Sequence, residues 1–267
     1  MLLSNVFFKS LRDRRMSMLF WLLGVSLLAV LFVSLFPLVS DNEALKQYAE
    51  TMDKDMLAIF GIEELDYSTG DGFLNTELFG VMLPVLLIVF AIGLGSASIA
   101  GEEDKRTIEI LISEPIQRSR LILEKYAVMV VGIGMLGLMV WASVAGAALV
   151  FSMGVSLVNL AAATLSCALL AMVFGSLSFG VGSITGKRGL SIAVGSATAA
   201  GTFVLNAISA LVDSLEPAKW ISPFYYYSSN QPMVNGLDLL HVAMLVALCS
   251  VTFVIGYVAY QRRDLRL

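Results

Sequence analysis

The stretch "GEEDKRTIEILISEPIQRSRLILEKY" (residues 101–126) holds eleven charged side chains, while the chain on both sides of it is charge-free for twenty or more residues. That contrast decides the fold class. A bilayer core about 30 Å thick is crossed by about 20 apolar residues of helix, because only a helix satisfies its own backbone there. Working outward from the quoted stretch, six segments qualify: 18–39, 78–100, 121–151, 158–184, 190–212 and 239–260. The whole chain, 267 residues, is 58% hydrophobic and 14% charged, with mean hydropathy +0.84, against about 25% charged residues in soluble domains. The expectation is an all-α polytopic membrane protein: an amphipathic helix over residues 1–17, then one six-span transmembrane domain over 18–267, with short cytoplasmic helices between spans.

The basic residues orient it. Fourteen of the 17 Lys and Arg fall before span one or after spans two, four and six, on one side; Lys46, Lys54 and Lys219 fall on the other. The positive-inside rule then places both termini in the cytoplasm. The net charge of −4 hides this asymmetry, because ten acids crowd the first outer loop, from Asp41 to Glu77. The apolar run near the N-terminus is longer than a signal h-region and no small-x-small cleavage site follows it, so it reads as a retained span. Cys167 and Cys249 fall inside spans and read as packing residues, not a disulfide.

Local signals fill in the connections. Val6, Phe7 and Leu11 recur with Leu3 at helical spacing while Lys9, Arg12 and Asp13 face elsewhere, the pattern of a helix lying on the inner leaflet. Ser40 and Glu43 form a capping box for an outer amphipathic helix carrying Leu45, Tyr48, Met52, Met56 and Ile59, ended by Gly61. Residues 216–236 hold three prolines and the rings of Trp220, Phe224, Tyr225, Tyr226 and Tyr227; short broken helices at the interface follow, as an aromatic belt or as part of a closure. Gly195/Ala199, Ser196/Ala200 and Ala197/Gly201 are small-xxx-small pairs suited to close helix contact within the chain or between subunits.

Absences narrow the function. The middles of spans two to five carry no Asp, Glu, Lys, Arg or His, and proton-driven pumps need titratable groups at that depth. The sole histidine, His241, lacks the convergent partners of a metal or hydrolase site. "GLGSAS" at Gly93 lies inside an apolar span and reads as a packing face. "GVGSITGKRG" (180–189) misses the phosphate-loop pattern, with Val181 and Arg188 in the positions that pattern requires to be Gly and Ser or Thr. No catalytic, metal or cofactor-binding residues, and no nucleic-acid partner, are expected in this chain; energy must come from a partner.

The quoted stretch is the candidate contact. Mixed charges at 102–106 give way to Ile108, Ile110, Leu111 and Ile112; Pro115 then ends the short helix and Ser119 can cap the next. A greasy knob with charged ends, fixed between two spans, suits docking into a groove of a cytoplasmic protein. Here the chain resembles the permease subunits of ATP-binding-cassette (ABC) exporters of the second type. The resemblance rests on Glu103, Thr107, Ile108, Glu109, Leu111, Ile112, Ser113, Pro115, Ile116, Arg118, Leu121, Ile122 and Lys125 in matching order, with Arg106 and Glu124 standing where glycine is frequent. The six-span layout, Ser222-Pro223-Phe224-Tyr225 and the Arg262-Arg263-Asp264 tail extend it over nearly the whole chain.

The resemblance implies a permease dimer around a central pathway, in a prokaryotic inner membrane, with separate cytoplasmic ABC ATPase subunits binding ATP and Mg beneath. It makes the loop after span two a coupling helix, with Glu102, Glu103, Arg106, Thr107, Glu109, Leu111, Ser113, Pro115 and Arg118 as its contacts, and the loop after span four, with Lys187 and Arg188, a second contact. The apolar, neutral spans suit amphipathic or hydrophobic cargo. Two alternatives stand beside this reading: a polymer or glycolipid export permease of the same superfamily, and a membrane scaffold or sensor that recruits a cytoplasmic partner without transport.

Overall fold

The computed structural model describes residues 6–40, 42–44, 51, 67–104 and 117–263, and every regular element among them is helical. The chain opens with α1 (Val6–Asp13) and, after a break at Arg14, α2 (Arg15–Ser40). Then come α3 (Gly70–Phe73), which runs into a π-helical stretch (Leu74–Phe79), α4 (Met82–Ser96) and the short α5 (Ala100–Asp104). The rest is α6 (Arg118–Val150), α7 (Leu157–Thr185), α8 (Arg188–Leu211), a 3-10 stretch (Asp213–Ile221), α9 (Pro223–Ser228), α10 (Pro232–Asn235) and α11 (Leu239–Arg262). Among the described residues α2, α6, α7, α8 and α11 are each long and apolar enough to cross a membrane. The pair Gly70–Phe79 and Met82–Ser96, bent by 42°, meets the same length and hydropathy requirement when taken together, which brings the number to as many as six. The all-α polytopic reading holds.

The second span departs from the uninterrupted 78–100 helix that its hydropathy predicts. Pro84 has no N–H to give the Gly80 carbonyl and its ring crowds that oxygen, so the helix breaks at residues 80–81 and restarts with the proline in its first turn. At the other end α4 stops at Ser96. The hydroxyls of Ser96 and Ser98 donate to the carbonyls of Gly93 (3.3 Å) and Leu94 (2.7 Å), competing with the backbone ladder.

Helix α7 is the centre of the bundle, with α4, α6, α8 and α11 packed around it. In lipid, close contact between helices depends on small side chains, since water supplies no hydrophobic drive. A Cβ on Gly256 of α11 would lie 2.7 Å from Gly180 Cα of α7, and one on Gly95 of α4 would run into the Gly175 carbonyl oxygen. Buried serines add polar stitches: Ser178 Oγ lies 3.0 Å from Ser191 Oγ, and Ser191 Oγ donates to the Ser178 carbonyl, joining α7 to α8. Of the small-residue pairs in α8, Gly195 and Ala199 face inward, while Ser196, Ala197, Ala200 and Gly201 are exposed. The stripe is thus divided between intrachain contact and an open face. "GLGSAS" divides likewise: Gly95 is a contact glycine, whereas a Cβ on Gly93 would meet nothing.

At the end of the bundle remote from α1, the proline and aromatic segment forms the short helices expected, but its rings are mostly inside. Phe224, Tyr226 and Tyr227 are buried and Trp220 is exposed. Tyr227 Oη donates to the Phe79 carbonyl (2.6 Å), Ser222 Oγ to the Thr202 carbonyl (2.8 Å), and the Phe224 ring packs tilted against Phe174 and edge-to-face with Phe203. Asp238 caps α11 by accepting from Leu240 N (2.7 Å) and His241 N (3.3 Å), which holds its carboxyl below the ordinary value. The Ser40 capping box is corrected. Ser40 ends α2, its hydroxyl turned back to the Pro37 carbonyl (3.5 Å), and Asn42 Oδ1 accepts from Ala44 N (3.1 Å) instead. The helix expected over Leu45 to Ile59 lies outside the described residues.

Candidate functional site

Both described flanks of the quoted stretch converge on one residue at the far end of the chain. Glu103, in α5, pairs with the Arg263 guanidinium. Arg118, in the first turn of α6, donates from Nη1 to the Arg263 carbonyl (3.0 Å). Arg263 also donates from its other terminal nitrogen to the Ser183 carbonyl in the last turn of α7 (2.8 Å). A guanidinium has five donors in a rigid fork, so one arginine can hold a carboxylate and a carbonyl together. The fork joins α5, α7 and α11, and the residue's own carbonyl brings in α6.

A second clamp lies alongside. Glu102 pairs with Lys125, whose side chain is 4% exposed. Arg14 donates to the carbonyls of Leu94 (3.3 Å) and Ala97, which the end of α4 leaves without helical partners. Burial holds the Arg14 guanidinium below the ordinary arginine value, while Glu102 pulls it back up. Helix α1 is fixed to α6 as well: Glu124 Oε2 accepts from Phe7 N (2.9 Å), and Glu124 Oε1 from Arg120 Nε (2.7 Å). Val6 is buried and Phe7 and Leu11 pack on the core, as the amphipathic pattern requires, although the helix ends at Asp13.

The loop after α7 is very short. Gly186 closes α7 in the left-handed region (φ +66°), its N–H donating to the Gly182 carbonyl (2.9 Å), and α8 begins at Arg188. A Cβ at Gly186 would collide with the Glu103 carboxylate. The two connectors that face the basic end are therefore in contact, through Gly186 and Glu103. Lys187 and Arg188 are both exposed.

The structure thus places Glu102, Glu103, Arg118, Lys187 and Arg188 at one end of the bundle and gives Glu102, Glu103 and Arg118 partners within the chain. Arg106, Thr107, Glu109, Leu111, Ser113 and Pro115 lie outside the described residues, as does the apolar knob Ile108, Ile110, Leu111 and Ile112. Ser119 is not the cap of α6: the helix starts one residue earlier, with Gln117 at the cap position and no side-chain capping bond. Sequence reasoning missed Arg14 and Arg263 as clamps, counting both for orientation and Arg263 also in the C-terminal tail of the resemblance. Their partners are 83 and 160 residues away, and no local spacing announces such pairs. His241 packs against the touching rings of Tyr225 and Tyr226, and among the described residues no three of His, Cys, Asp and Glu gather as metal ligands.

No curated protein matches the chain. A family model described as ABC-2 family transporter protein matches residues 4–265, nearly the full length. With a helical bundle of up to six spans and both described chain ends clamped to the same charged face, the chain belongs to the ABC-2 family of transporter proteins.

Proposed function

We propose that this ABC-2 family membrane protein is the permease subunit of an ATP-driven exporter, and that residues 101–118 are the handle by which a separate cytoplasmic ATPase moves it. The single observation that carries this is the junction at Arg263, where both flanks of the handle and the end of α7 are tied to one side chain and its carbonyl. A handle transmits work only if its base is stiff and reaches several spans. Here a push on 105–116 reaches α5, α6, α7 and α11 through ion pairs and carbonyl bonds, the basis for a rigid-body change of state. The partner's ATP-bound and ATP-free forms must grip the handle differently, or no work passes.

The same reading assigns the remaining parts. Lys187 and Arg188 form a lesser contact for the ATPase. ATP and Mg are bound by that partner, and this chain contributes no catalytic group. The exposed small-residue face of α8, with Ser196, Ala197, Ala200 and Gly201, supports a second permease copy, which would complete a pathway for amphipathic or hydrophobic cargo. The basic end lies on the cytoplasmic side by the positive-inside rule, in a prokaryotic inner membrane.

The test is purification from the native membrane with identification of the bound subunits. An ATPase is expected with the unaltered chain, and is expected to be lost from Leu111→Asp and Glu109→Lys while both variants still insert. Retention of the ATPase by both contradicts the handle assignment.

A further inference from the structure

At the basic end, between α1, the start of α2, and α4, lies an open cavity of about 610 Å³. Its rim carries Lys9, Arg14 and Arg188, and its wall is formed by Trp21, Phe90 and Val89. Among the described residues, two acids share the lining, Asp13 and Glu102; Glu102 is already paired with Lys125 and Asp13 is exposed. Among the described residues neither Lys9 nor Arg188 has a carboxylate within ion-pair distance. Arg14 spends two donors on the Leu94 and Ala97 carbonyls, which fixes its fork in place and leaves further N–H groups for a ligand.

The apolar side of the cavity does not end at Trp21. A second cavity, about 240 Å³, also has Trp21 in its lining and continues along α2 past Phe20, Gly24, Val25 and Leu28, with Leu86 of α4 opposite. From Trp21 to Leu28 is about 10 Å of helix. Gly24 keeps this groove open, since a Cβ there would meet nothing within 4 Å. Three cations at the basic end of the bundle, an indole at the boundary, and an apolar trough running toward the middle of the span reproduce the order of groups along a membrane lipid.

We propose that this paired cavity is a binding site for an anionic phospholipid of the surrounding leaflet, its phosphate held by Lys9, Arg14 and Arg188 and one acyl chain laid along α2 from Trp21 to Leu28. The site shares Arg188 with the lesser contact proposed for the ATPase, but its test uses the chain without that partner and stands apart from the ATPase reading. A lipid seated there would bridge α1, α2, α4 and the first residue of α8, and so stiffen the face beside the Glu102 clamp.

The experiment is a thermal-shift titration of the delipidated, detergent-solubilised chain with three probes: dioleoylphosphatidylglycerol, dioleoylphosphatidylcholine and inorganic phosphate. Phosphatidylglycerol is expected to raise the unfolding midpoint at concentrations at least about tenfold below phosphatidylcholine, equal to about 1.4 kcal/mol, with phosphate alone giving no shift. Lys9→Gln with Arg188→Gln should abolish that preference, and Lys9→Arg with Arg188→Lys should restore it. Gly24→Leu, whose Cβ enters open space and whose branched end occupies the trough, should weaken the dioleoyl lipid and leave its dihexanoyl analogue unchanged. Equal response to the two lipids, an unchanged preference in the double Gln variant, or a shift by phosphate equal to that of the lipid would each overturn the proposal.

Discussion

The two ends of the bundle are closed by different chemistry. At the basic end, charged side chains reach across helices: Glu102 to Lys125, Glu103 to Arg263, and Arg14 and Arg118 to backbone carbonyls. At the opposite end, the segment from Asp213 to Asp238 is fitted by hydroxyls and rings, with Tyr227, Tyr226 and Ser222 donating to carbonyls and Phe224 packed against two rings. Charge pairs act over several ångströms and reorganise when a neighbouring charge moves, whereas a short hydroxyl bond in a ring-packed plug holds in one geometry or is lost. On the proposed reading, the basic end is the one moved from outside, and the other end stays shut until the spans beneath it tilt.

Substitutions can break this contrast, and they rank by expected size. Glu102→Ala leaves Lys125 buried as an unpaired charge and should cost about 3–5 kcal/mol, seen as a large drop in unfolding midpoint in detergent; Glu102→Leu with Lys125→Met should recover most of it. Gly186→Ala puts a side chain in the left-handed region, at about 1–2 kcal/mol, and drives the Glu103 carboxylate from its seat, so spin labels at the exposed neighbouring positions Asp104 and Arg262, which leave the Glu103–Arg263 pair intact, should report separation. Tyr227→Phe removes one buried hydrogen bond and should cost about 1 kcal/mol, with no dependence on ionic strength. Lys219→Ala removes the surface pair with Glu216 and the ammonium's contacts with the Trp220 (5.8 Å) and Tyr225 (5.5 Å) rings; at an exposed site these are worth little, and the midpoint should move least. If Tyr227→Phe proved more costly than Glu102→Ala, the ranking of the two ends would be reversed.

Much of this was legible in the sequence. Long charge-free runs gave the spans because hydropathy and length are local quantities, and the amphipathic period of Val6, Phe7 and Leu11 gave α1 for the same reason. The break at 80–81 was also within reach, since Pro84 denies the Gly80 carbonyl its donor, yet the apolar window over 78–100 masked it. Caps were misplaced by two residues, at Ser40 and Ser119, because several polar residues competed for each helix start. The junction at Arg263 was out of reach. Lys125, Arg263 and Arg14 look like orientation charges until the helices are assembled, and only the assembled bundle brings a C-terminal arginine onto a carboxylate 160 residues away.

The direct test of the central claim is ATP hydrolysis by the purified, reconstituted complex of this chain with its ATPase, comparing the unaltered chain with Arg263→Gln. The handle itself is untouched in that variant, so the ATPase should remain bound in full amount. Its stimulation by the permease should fall at least about tenfold, which corresponds to about 1.4 kcal/mol of lost coupling. Full stimulation by a complex carrying Arg263→Gln would contradict the account, because the handle would then be doing its work without the junction that ties it to the spans.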